Sequence, residues 1–127
     1  MIRRLRIVAP AAATVAMASA ALAETDGERI AKILTPAVHP CWSIIAPPDG
    51  QTPKAFSVSF KLNPDGSLNG NPVALGEAAT DYDRQLRKGG VRAVIRCSPY
   101  NAVAASGLPH AAWKDIVINF DPSQTTF

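Results

Sequence analysis

The chain has little from which to build a reaction centre. Its 127 residues include two cysteines and two histidines. Cys41 and Cys97 are far from the CxxC spacing of a redox motif or a zinc site. His39, two residues before Cys41, precedes a proline and reads as a surface or packing residue. Neither His39 nor His110 joins an Asp/Glu/His cluster able to complete a metal shell, and no nucleophile-elbow signature is present. Asp81 and Asp83 imitate a carboxylate pair for acid/base work, but they fit better at a helix start, where the macrodipole favours anions. No catalytic, cofactor-binding or metal residue is therefore expected.

An excess of one charge is missing too, outside the first few residues. The net charge of +3 comes from 13 Lys/Arg against 10 Asp/Glu, and Arg3, Arg4 and Arg6 account for all of it. The remainder is formally neutral and shows no basic stripe interleaved with aromatics, so a nucleic-acid partner is set aside. Long apolar runs are limited to residues 7–20, an Ala- and Val-rich stretch too short and weak for a comfortable membrane span. With the arginines before it and Ala21-Leu22-Ala23 after it, this stretch predicts a cleaved secretory signal peptide over residues 1–23. The cut is expected before Glu24, leaving one domain over residues 24–127 in the periplasm. The alternative is an uncleaved N-terminal anchor. Export to an oxidising compartment favours a Cys41–Cys97 disulfide over two buried free thiols.

What is present reads as a short series of elements. Ile30, Ile33, Leu34, Val38, Cys41 and Trp42 follow helical spacing after a polar lead over residues 24–27. Thr35-Pro36 predicts two helical pieces meeting near residue 35, and Pro40 a bend in the second. Phe56, Val58, Phe60 and Leu62 alternate with Ser57, Ser59 and Lys61, the pattern of a strand buried on one face. Asn63-Pro64-Asp65-Gly66 is strong turn chemistry, with Gly66 expected at positive φ. Residues 67–75 return as a second hairpin arm, weakened by Pro72. Residues 80–97 predict the main helix, capped by Thr80. Gly89-Gly90 interrupts it, a costly pair explained by close approach to another backbone. Residues 101–109 read as a loop and residues 113–120 as the last strand.

The order helix, strand, strand, helix, strand predicts an α+β fold. The helix after the hairpin carries the chain back along the sheet, so all-antiparallel pairing places strand three beside strand one, in order 2-1-3. Both helices share the apolar face. The other face carries Ser57, Ser59, Lys61, Asp115, Val117 and Asn119, polar enough to meet water. Strand three is left with an open edge, either a site of strand addition by a partner or one covered by the C-terminal tail or blunted by Lys114 and Asp115. Trp42, Tyr100 and Trp113 fit the core or its rim. Trp113 also joins Asp115, Val117 and Asn119 as a candidate partner-binding residue, since it can fall on the open face with Val117.

Four blocks then stand out together: PCW at 40–42, FKLNPDGSL at 60–68, RAVIRCSPY at 92–100 and WKDIVINFDP at 113–122. In order and spacing they resemble the C-terminal periplasmic domain of TolA, within the TonB/TolA C-terminal-like superfamily, over nearly all of residues 29–122. The resemblance implies a three-stranded antiparallel sheet with helices against one face. It implies a non-enzymatic adaptor for cell-envelope proteins, Tol-Pal components among them, in outer-membrane maintenance. TolA carries a membrane anchor and a long helical spacer before this domain. Here a cleaved signal would leave no stable membrane anchor and only residues 24–28 as a lead, so binding transfers more readily than force transduction. The competing expectation is a small periplasmic enzyme or inhibitor on the same scaffold.

Overall fold

The computed structural model describes residues 24–124. The expected signal peptide and its cleavage site lie outside the described residues, apart from Glu24 itself. No helix among the described residues is long and apolar enough to cross a membrane.

The first helix, α1 (Asp26–Val38), starts at a capping box. The Glu28 N–H donates to the Thr25 hydroxyl at 3.1 Å, and the Glu28 carboxylate accepts from the Thr25 N–H. This satisfies donors that a helix start otherwise leaves orphaned. Ile30, Leu34 and Val38, four residues apart, are buried. The two pieces expected near residue 35 are therefore one helix, with Pro36 inside it. Pro36 removes a single bond, to the carbonyl of exposed Lys32 near the helix end, and the buried row continues past it. A 3-10 turn, His39–Cys41, follows with Pro40 at its start, where the bend was expected.

The sheet comprises β1 (Phe56–Lys61), β2 (Val73–Ala74) and β3 (Asp115–Phe120) in the order β2-β1-β3. Both pairings are antiparallel, so the expected α+β architecture and strand order are observed. The turn between β1 and β2 is set by its chemistry. The Ser67 hydroxyl, followed by its N–H, donates to Asp65 and holds that carboxyl below its ordinary pKa. Gly66 has φ +88°, and a Cβ there would lie 2.5 Å from the Tyr100 carbonyl oxygen. The second arm is shorter than expected. Leu62 bridges Leu68, yet Ser59 pairs with Val73, so the arm holds two residues more than continuous pairing allows. The excess falls around Gly70 and Pro72, where a regular ladder is hardest to keep.

The main helix, α2 (Asp81–Cys97), is capped by the Thr80 hydroxyl, which accepts from the Asp83 N–H at 3.0 Å. Tyr82, Leu86, Gly90, Ala93 and Val94 face the core. Gly89 faces a backbone as expected, since a Cβ there would lie 3.6 Å from the Ser43 carbonyl oxygen, but at Gly90 the neighbour is a side chain. A Cβ at Gly90 would lie 2.6 Å from Cε2 of Phe56 and 2.8 Å from Cζ. Phe56 itself stacks on Phe120 with centroids 5.2 Å apart and meets the edge of Trp42 at 5.9 Å. The expected disulfide is present: Cys41 is bonded to Cys97, with Cα atoms 6.0 Å apart, joining the turn after α1 to the last residue of α2.

Part of the expected loop over residues 101–109 is a short helix, α3 (Asn101–Ala104), which buries Val103. Before it, the buried Tyr100 hydroxyl donates to the Val94 carbonyl at 2.6 Å, and burial pushes its pKa up to about 12. A 3-10 turn, His110–Ala112, leads into β3, which starts two residues later than the sequence pattern suggests.

Candidate functional site

β3 reads out its own geometry. Ile116, Ile118 and Phe120 are buried, while Asp115, Val117 and Asn119 are exposed on the outer sheet face. The pairing register sets these three beside Lys61, Ser59 and Ser57 in turn. Val117 is 63% exposed and Val73, on the far side of Ser59, is 57% exposed, so a row of Val73, Ser59 and Val117 crosses the sheet. Lys61 opposite Asp115 sets opposite charges side by side at one end of this face.

The same three β3 residues own the open edge. In an antiparallel ladder, opposed residues alternate between pairs that exchange main-chain hydrogen bonds and pairs that do not. The Leu62 N–H donates to the Lys114 carbonyl at 2.9 Å, which fixes the phase: Phe60 bonds Ile116, Val58 bonds Ile118, and Phe56 bonds Phe120. The Leu75 N–H donating to the Ser57 carbonyl gives β1 the complementary phase towards β2. Asp115, Val117 and Asn119 therefore direct their N–H and C=O groups away from β1. Among the described residues no strand pairs with them.

Beyond that edge lies a groove of about 360 Å³ between β3 and α1. Gly27, Ala31 and Thr35 form its helical wall. Four-residue spacing puts them on one flank of α1, and their small side chains keep that flank low beside the strand. Buried Ile30 and Leu34 form its floor with Ile116 and Ile118. Asp115 contributes the one charged side chain of the lining. An extended segment laid along β3 would direct alternate side chains into this apolar groove. The wall residues were missed by sequence reasoning, although their spacing is visible in the chain.

The candidates do not all meet here. Trp113 is 2% exposed, and its indole N–H donates to the Leu108 carbonyl at 3.1 Å. It precedes β3 rather than belonging to it, so the strand alternation that would have placed it beside Val117 does not reach it. Trp113 is a core residue, and its place among the partner-binding candidates is corrected. Described residues of the tail form a 3-10 turn, Pro122–Gln124, and do not pair with the edge; residues 125–127 lie outside the described residues.

The histidines stay apart from acids. His110 sits 2.8 Å from the Leu62 carbonyl, with its ring edge-on to Trp113. His39 lies over Phe120 with centroids 6.2 Å apart. Among the described residues no group of three or more His, Cys, Asp or Glu side chains is placed to hold a metal ion. No protein-family model, curated protein or solved structure matches the chain.

Proposed function

We propose that this chain is a periplasmic, non-enzymatic protein-interaction module of TolA C-terminal type. It takes an extended segment of a cell-envelope protein, of the Tol-Pal kind, along the open edge of β3. The observation that carries this reading is the set of outward main-chain groups on Asp115, Val117 and Asn119 beside an apolar groove. Main-chain bonds to that edge would supply affinity, and side chains entering the groove would supply specificity. The edge is six residues long, with no proline or bulge to blunt it. The three-stranded antiparallel sheet with its helices agrees with the fold that the resemblance implies, which supports the family half of the proposal. Export in an oxidising compartment is consistent with the disulfide.

Val117→Pro tests it. The lost N–H points away from β1, so the ladder is kept, whereas the edge loses a donor and acquires a ring. One net hydrogen bond of roughly 1 kcal/mol, with the steric block added, predicts about tenfold weaker partner binding. The measurement is photocrosslinking from residue 119 in the native envelope, with the captured protein identified. Capture of an envelope protein by the parent and its loss in Val117→Pro is the expected result. Equal capture by both, or none by either, would refute strand addition at this edge.

A further inference from the structure

The charge of the domain is balanced in total but not in space. Arg84, Arg87, Lys88, Arg92 and Arg96 all lie on α2, and between Arg84 and Cys97 the helix has no acidic residue. Its acids, Asp81 and Asp83, are confined to the first turn. Arg84, Lys88, Arg92 and Arg96 recur every four residues, so they share one stripe, and all four are exposed. At 1.5 Å per residue the stripe is about 18 Å long.

Three of these side chains have local work. Arg84 pairs with Asp81 at the helix start. Arg87 donates to the Leu75 and Gly76 carbonyls, both at 2.6 Å, and so pins the chain leaving β2. Arg96 points towards the Cys41 carbonyl at 3.5 Å. Lys88 and Arg92 form no ion pair among the described residues.

The stripe borders a groove of about 380 Å³ between α2 and β2. Its walls are Arg84, Arg87, Lys88 and Arg92, and its floor is Ala74 and Val91. Ile95, one turn beyond Val91, is 46% exposed and extends the apolar line. A cationic rim around an apolar floor is complementary to a segment with carboxylates flanking small apolar side chains.

We infer that the α2–β2 groove docks an acidic amphipathic segment of another protein. Its carboxylates would meet Lys88, Arg92 and Arg84, with apolar side chains on Ala74 and Val91. This face lies across the sheet from the β3 edge, so it goes beyond the strand-addition reading and does not depend on it.

The test uses the full chain and a fluorescein-labelled peptide alternating glutamate with leucine and serine, followed by anisotropy. Its controls are the same peptide with glutamine for glutamate, and phosphatidylglycerol vesicles. The glutamate peptide should bind at about 50 mM salt, weaken at about 300 mM, and lose at least about tenfold in affinity in Lys88→Glu/Arg92→Glu. Both substituted residues are exposed, and an unchanged melting curve would confirm that the variant folds. Val117→Pro should bind the peptide as the parent does. No binding at low salt, equal binding of the glutamine peptide, an unaffected double variant, or vesicle binding without peptide binding would each overturn the inference.

Discussion

Adjacent glycines in α2 should respond to the same substitution with opposite sign. Gly89 and Gly90 share a helix interior, so replacing either by alanine gains about 1 kcal/mol of helix propensity. They differ in what the new methyl meets. At Gly89 the nearest atoms are the Ser43 carbonyl oxygen and Trp42 Nε1, both 3.6 Å away, which is ordinary contact. At Gly90 the methyl would fall 2.6 Å from the Phe56 ring, which is packed against Phe120 and Trp42. Overpacking of that kind costs about 1–3 kcal/mol. Gly89→Ala should therefore be more stable than the parent by up to about 1 kcal/mol, and Gly90→Ala less stable by about 1 kcal/mol after the propensity gain is counted. For a domain of this size that separates the two melting temperatures by about 8–16 °C. Thermal unfolding followed by far-UV circular dichroism measures the difference. In a Phe56→Leu background the Gly90→Ala cost should largely vanish, which makes the pair a double-mutant cycle. Equal melting temperatures for the two alanine variants, or a cost that persists without the Phe56 ring, would refute the reasoning.

Removing the cross-link in Cys41→Ala/Cys97→Ala frees a loop with a sequence separation of 56. The chain-entropy model puts the loss at about 4 kcal/mol, and urea unfolding should show it; a loss under about 1 kcal/mol would contradict that account. Tyr100→Phe should cost about 1 kcal/mol at neutral pH through the bond to the Val94 carbonyl. Because folding favours the neutral phenol and raises its pKa from 10.0 to about 12, parent stability should hold below pH 10 and fall as pH rises towards 12. Tyr100→Phe should lose most of that slope in urea titrations across this range. Tyr82, raised by burial and then by Asp83, and Lys32, raised by its bond to Glu24, contribute to the remainder. An identical slope in the variant would remove Tyr100 as its source.

The parts legible in sequence were those with a strong local period. β1 announced itself by strict alternation, the hairpin turn by its Pro-Asp-Gly chemistry, and α2 by a cap followed by an apolar stripe ending before Pro99. Fold order then followed from connection rules. The misread parts were those where tertiary packing outweighs local preference. Pro36 looked like a boundary, yet burial of Val38, one turn after Leu34, keeps α1 continuous. The helix Asn101–Ala104 is too short to display a period, and burial of Val103 sustains it. At the candidate edge, Asp115, Val117 and Asn119 were readable because β-strand faces alternate. Trp113 was not, since nothing in the sequence shows that the strand begins only after it. Nor could the sequence show that the Gly27, Ala31 and Thr35 flank of α1 lies beside that edge, which depends on how the helix docks.

Phe120 is the final residue of the final strand, and it is fully buried. It touches Phe56, Trp42 and His39, residues 64, 78 and 81 positions earlier in the chain. In a growing polypeptide, until Phe120 is made, β1 has only the two-residue β2 beside it, and the aromatic cluster has no lid. Such long-range closure makes folding late and all-or-none, and leaves an interrupted chain with exposed aromatic surface. For a protein read as exported, this delay has a use, because a chain that cannot fold early remains threadable through a translocation channel.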